Sequence, residues 1–148
     1  MNLLLFKAAG EQCGVELDYV SSLIKAGDVF SPKFLNSIHG STIRLFGKKM
    51  HCFDIVELLG HKRVSIPNTG RLIVVDYKHQ SYLLLADSIK ETVSISDTEP
   101  STNNDAIFSL VSLPHSDIHV LNLPLLKSSV SQSAAPVLAP SHALHPIA

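Results

Sequence analysis

Tryptophan is absent from this 148-residue chain, and only two cysteines and two methionines occur in it. Cys13 and Cys52 lie far apart and outside any CxxC spacing. No paired Cys/His spacing of a structural zinc site exists. The apolar strand context of each cysteine predicts a buried, reduced thiol, with a single Cys13–Cys52 bridge as the alternative that the count allows. A reducing compartment fits two such thiols. Charge of one sign is also lacking: twelve Lys+Arg face thirteen Asp+Glu, a formal charge of −1. Such a chain has no basic field for nucleic acid or for an anionic membrane. Long hydrophobic runs are missing too. The N-terminal run Leu3–Phe6 is followed at once by Lys7, short of the roughly 7–15 apolar residues of a signal segment. Nothing approaches the ~20 residues of a membrane span. The expectation is a soluble, cytoplasmic domain with no direct membrane insertion.

Chemistry-bearing motifs are equally scarce. The chain contains no HExxH, GxSxG, Walker loop or GxGxxG, so neither a metal nor a cofactor is expected. Eight histidines are scattered (His39, His51, His61, His79, His115, His119, His142 and His145) and read as surface residues. His51 and Cys52 are adjacent in a strand and point to opposite faces, which keeps thiol and imidazole apart. Asp76 and Asp87 each stand where an apolar run leaves the core. A small hydrolase using Asp54, Asp87 or His51 is the enzyme alternative, and it has no supporting motif.

What is present is 45% hydrophobic content in short runs, enough for one domain with its own core. Leu3–Ala8 and Cys13–Leu17 read as strands joined at Gly10-Glu11. Asp18 reads as the cap of a helical segment to Lys25, because Tyr19, Val20, Leu23 and Ile24 fall at helical spacing. Gly27-Asp28 and Ser31-Pro32 mark loop. Ile43 and Leu45 form a short strand that turns at Gly47-Lys48 into Met50–Phe53. Asp54 then caps a helical turn closed by Gly60. His61–Gly70 is a polar loop. Arg71–Tyr77, turned by Lys78-His79-Gln80 into Ser81–Ala86, is a buried β-branched pair. Val93–Ile95 alternates as a half-exposed strand, and Asp97–Asp105 is polar loop. Ile107–Leu113 and Ile118–Leu123 form a last pair, and Pro124 suits the first turn of a helix after Asn122 or Leu123. Nine or ten short strands at this spacing imply an all-β barrel, or paired barrels, with a short C-terminal helix. The folded domain is expected over residues 1–127. Residues 128–148, rich in Ser, Ala and Pro, read as a flexible tail.

In this order the elements resemble the CheW-like domain of bacterial chemosensory systems. LLLFKAAGEQCGVEL resembles its first strand pair, and VSSLI (Val20–Ile24) its V-x-E-I segment. Ser41–Ile55 resembles the block G-V-x-N-L-R-G-x-x-x-P-x-x-D-L, with Gly47 and Asp54 in register. LIVVDYKHQSYLLLADSIKETVSI resembles the paired strands that carry an aspartate, here Asp87. HVLNLPLLK resembles the closing segment, with Asn122 at its polar position. The match spans about Asn2 to Ser128. Phe46 stands at the family's arginine, Ser41 at its glycine, Ser22 at its glutamate, His51 at its proline and Leu83 at its glycine.

The resemblance implies two intertwined five-stranded, SH3-like barrels around a shared core. It implies a non-catalytic adaptor that couples the cytoplasmic tip of a chemoreceptor to the regulatory domain of a CheA-type histidine kinase. Val20, Ser22, Ser41, Phe46 and Leu83 become the candidate interaction residues, and Gly47, Asp54, Asp87 and Asn122 the structural ones. Since Phe46 and Ser22 replace charged residues in the receptor-facing region, the resemblance also admits a regulatory module of a pilus or surface-motility pathway with lost or altered receptor contact.

Overall fold

The computed structural model describes residues 1–95 and 106–133. Ten strands occur among them: β1 (Asn2–Ala8), β2 (Glu11–Glu16), β3 (Val20–Lys25), β4 (Thr42–Leu45), β5 (Lys48–Asp54), β6 (Arg71–Tyr77), β7 (Gln80–Ala86), β8 (Ser88–Ser94), β9 (Phe108–Leu113) and β10 (Ser116–Leu121). Three single helical turns, α1 (Ala26–Val29), α2 (Pro32–Leu35) and α3 (Ile55–Leu58), and one longer helix, α4 (Leu123–Ser133), accompany them.

The strands make two five-stranded sheets, ordered β8-β1-β2-β10-β9 and β3-β6-β7-β5-β4. The two orders are the same pattern twice. An edge strand lies on a hairpin, β8 on β1–β2 and β3 on β6–β7. Each hairpin pairs in parallel with the second strand of another, β2 with β10 and β7 with β5. The chain changes sheet after each central hairpin: β3 follows β2 into the second sheet, and β8 follows β7 into the first. The lobes are therefore intertwined by covalent connection and not merely packed together.

Burial on both faces explains the apolar runs. In β6 and β7, Ile73, Val75, Tyr82 and Leu84 face a core shared with Phe6, Cys13 and Val15 of the first sheet. Their neighbours Leu72, Val74, Leu83 and Leu85 face a second core with Met50, Cys52 and residues of α1 and α2. Leu3 and Leu5 of β1 face a third, with Val111 and Ile118. A strand buried on both sides reads as a continuous apolar run, because the side-chain period of two then distinguishes nothing.

Several local expectations change. Val20–Lys25 is an edge strand and not a helix; only Leu17–Tyr19 makes a 3-10 turn. Backbone pairing with β6 outweighs the helical spacing of its apolar residues. Gly27-Asp28 and Ser31-Pro32 belong to α1 and α2, the latter started by Pro32 with Ser31 Oγ accepting from Phe34 N. The hairpin turns sit one residue earlier than expected, at Ala9-Gly10 and Phe46-Gly47. A two-residue turn of this hand needs positive φ at both central positions, and Phe46 (φ 53°) and Gly47 (φ 76°) supply it. Helix α4 runs through Ser128 to Ser133, into the stretch expected as tail. The loop expected over 97–105, the rest of that tail (134–148), and His142 and His145 lie outside the described residues.

Candidate functional site

The residues singled out in the sequence fall into two sets with opposite environments. Val20 and Ser22 lie on β3, one edge of the second sheet; Ser22 is exposed and Val20 half-buried. Ser41 precedes β4, the opposite edge, and donates its Oγ hydrogen bond to Ser37 O. Phe46 heads the β4–β5 turn and is 70% exposed. The edges give open backbone and the turn gives an open aromatic face, but the structure does not bring β3 and Phe46 onto one ladder. Leu83 departs from this set. It is 0% exposed, sealed between β5 and β6 in the second core. A side chain there packs the sheet and cannot touch a partner.

In the second set Asp54 is buried and Asp87 half-buried, and these two are interconnected. Asp54 ends β5 and caps α3, its Oδ1 accepting from Val56 N at 3.0 Å. Both of its carboxylate oxygens also accept from Arg63, from Nε at 2.9 Å and from Nη2 at 2.8 Å. Nη1 of the same guanidinium donates to Asp87 Oδ1 and to Ser65 O. Asp87, in the β7–β8 connection, accepts at Oδ2 from Ala9 N (3.0 Å) in the β1–β2 turn, and its own N donates to Lys7 O. The Arg63 and Asp54 side chains are 3% and 1% exposed. Burial works against the Arg63 charge, yet the hydrogen bonds and charges of Asp54 and Asp87 outweigh it and raise its pKa above the ordinary arginine value. One guanidinium therefore ties the end of β5 to the crossover after β7, and Asp87 in turn ties that crossover to a hairpin of the other sheet.

Arg63 is the residue that sequence reading misses. It stands in the polar stretch HKRVSIPNTG, where a basic residue looks solvated, and only the carboxylates on three-dimensional neighbours mark it. Asn122 repeats the role of Asp54 in the other lobe: it follows β10, and its Oδ1 accepts from Leu125 N at the start of α4.

The arrangement leaves little for catalysis to use. Asp54 and Asp87 do meet, but through a cation that engages their oxygens. Asp76 lies on β6 opposite Ser81, where the Ser81 hydroxyl and Lys48 hold its carboxyl below the usual range. His51 stacks near Tyr82 (6.2 Å between ring centres) and meets Thr42 Oγ1 at 3.4 Å. Burial, aided by Lys49, lowers its pKa. Cys13 and Cys52 are free and buried in different cores, each thiol pushed up to about 12 by burial. His61 and His119 both meet the Glu11 carboxylate, at 2.9 and 3.0 Å. No cluster of metal-ligating side chains occurs among the described residues, nor a helix long and apolar enough to cross a membrane.

Comparison with known proteins adds two findings. Residues 2–113 match the sequence profile described as the CheW-like domain. Among solved structures, the chain is similar to the crystal structure of the scaffolding protein TtCheW from Thermoanaerobacter tengcongensis. The two share 17% identity with a TM-score of 0.66, over 82% of this chain and 84% of that one. No curated protein matches the chain.

Proposed function

The chain belongs to the CheW-like domain family, and from that premise we propose that it is a non-catalytic adaptor of a chemosensory assembly. In this reading it couples a CheA-type histidine kinase, through the kinase's regulatory domain, to receptor-bearing partners in the cytoplasm. The folded adaptor takes in α4, as far as Ser133. Phe46 is the observation that carries the reading. A phenylalanine that is 70% exposed, at positive φ, at the head of a hairpin is costly in both solvation and backbone strain. A contact with a partner accounts for both costs. Ser41 lies ahead of β4, the edge that Phe46 follows, while Val20 and Ser22 on the opposite edge strand β3 offer a separate contact. Leu83 acts only through packing.

A second reading is favoured by the same position. The family's arginine and glutamate are replaced by Phe46 and Ser22, so the standard receptor contact is altered or lost and the module serves a pilus or surface-motility pathway. Co-purification with the kinase regulatory domain tests the adaptor role, and no association by folded protein would overturn it. Titration with a receptor-tip fragment separates the two readings. A gain of binding on Phe46→Arg supports altered contact. Binding by the native chain as tight as that of an ordinary coupling protein removes the second reading.

A further inference from the structure

The parallel register of β5 and β7, Met50 beside Ser81, sets the β4–β5 and β6–β7 turns side by side. They enclose an open depression of about 730 Å3. Lys48, Lys49 and Lys78 line it together with His51 and His79, against one carboxylate, Asp76. Counting the imidazoles as neutral, three lysines less one aspartate leave +2 here, in a chain whose net charge is −1. Asp76 is already engaged by Lys48 Nζ at 3.4 Å and Ser81 Oγ at 2.6 Å. Lys78 rests over the Tyr77 ring, 5.6 Å from its centre. Exposed Phe46 heads the same β4–β5 turn.

We propose that these paired turns form a basic platform for an acidic polypeptide segment of a protein partner, one that also presents an apolar side chain to Phe46. The cations come from two turns around an open surface, an arrangement that suits several carboxylates along a chain better than one phosphate. Three lysines fall short of the roughly four to eight basic residues that hold a protein on anionic lipid. The platform deepens the adaptor reading and rests on it for the identity of the partner, though not for the chemistry.

The test uses the full chain and three probes: a Glu-rich peptide of about twenty residues carrying two leucines, the kinase regulatory domain, and phosphatidylserine vesicles. The double variant Lys49→Glu/Lys78→Glu is compared with native protein and with Lys90→Glu, a charge reversal on exposed β8, after circular dichroism shows all three folded. Native protein binds the peptide with an affinity that falls as salt rises. The double variant loses about tenfold or more at low ionic strength, and Lys90→Glu loses nothing. Equal peptide binding by the double variant and the native chain overturns the platform, as does tighter binding to vesicles than to peptide. Peptide binding that the double variant loses, with no kinase association by any form, sustains the platform and sinks the adaptor reading. Kinase binding unaffected by the double variant, with no peptide binding, does the reverse.

Discussion

At the scale of single residues, the buried charges dominate. Arg63 satisfies Asp54 at both oxygens and reaches Asp87 as well. Removing one partner from a buried pair leaves an uncompensated charge in a low-dielectric site. Arg63→Ala is therefore expected to cost about 3–5 kcal/mol, read as a lower midpoint in chemical denaturation. Arg63→Lys should recover only part of this, since an ammonium cannot reproduce the fork. An Arg63→Ala protein as stable as native would mean that Asp54 is held mainly by its cap to Val56. His51 makes a pH prediction. The unfolded chain takes up a proton on His51 near its ordinary value of 6.5, whereas the folded imidazole resists until the pH is lower. The unfolded state then binds more protons, so this contribution to stability is present above about pH 6.5 and is lost as pH falls below it. Denaturation midpoints between pH 7.5 and 5 should fall less steeply for His51→Gln than for native protein, and parallel slopes would exclude His51 as a source.

At the scale of elements, the β4–β5 turn sets backbone strain against exposure. Phe46 holds φ 53° without being glycine or asparagine, and left-handed backbone costs an ordinary L-residue about 1–2 kcal/mol. Phe46→Asn should raise thermal stability by about 1 kcal/mol while weakening partner binding. Gly47→Ala, at φ 76°, should lower stability by a similar amount. A Phe46→Asn protein that is less stable than native would show that the ring packs on the turn and is not held for a partner. Elements also show what sequence could reveal. Arg71–Tyr77 and Ser81–Ala86 were legible because β-branched and leucine runs bounded by a turn have few other readings. Asp54 was legible as a cap, its side chain being the only acceptor just ahead of Ile55 and Val56. Val20–Lys25 was not legible, because its apolar residues fall at helical spacing and its strand state comes from β6 alone. The turns α1 and α2 are too short to impose a period. Arg63 was hidden by its polar neighbours, and its role exists only once Asp54 and Asp87 are brought together.

At the scale of the whole molecule, strand count was readable from turn signals, but the pairing order was not. Nothing local tells β3 to leave β2 for β6, or β8 to leave β7 for β1; that exchange came only with the family resemblance. Its physical consequence is a core that belongs to neither lobe. Phe6, Cys13 and Val15 from one sheet pack with Ile73, Val75 and Leu84 from the other, and Asp87, held by Arg63, bonds to the β1–β2 hairpin. Neither sheet can keep its edge strand or its inner face if the other opens, so the lobes should unfold together. Leu84→Ala, at a fully buried position of the shared core, is expected to cost about 2–5 kcal/mol. Amide hydrogen exchange then distinguishes a shared core from two independent ones. Loss of protection should be equal for amides of β1 in the first sheet and β6 in the second, as one cooperative unit requires. Leu72→Ala, which lies only in the second core, should give the same equality if the exchange of strands is what couples the lobes. Protection lost in β6 but kept in β1 would show that the lobes open separately and that the crossovers are mere tethers.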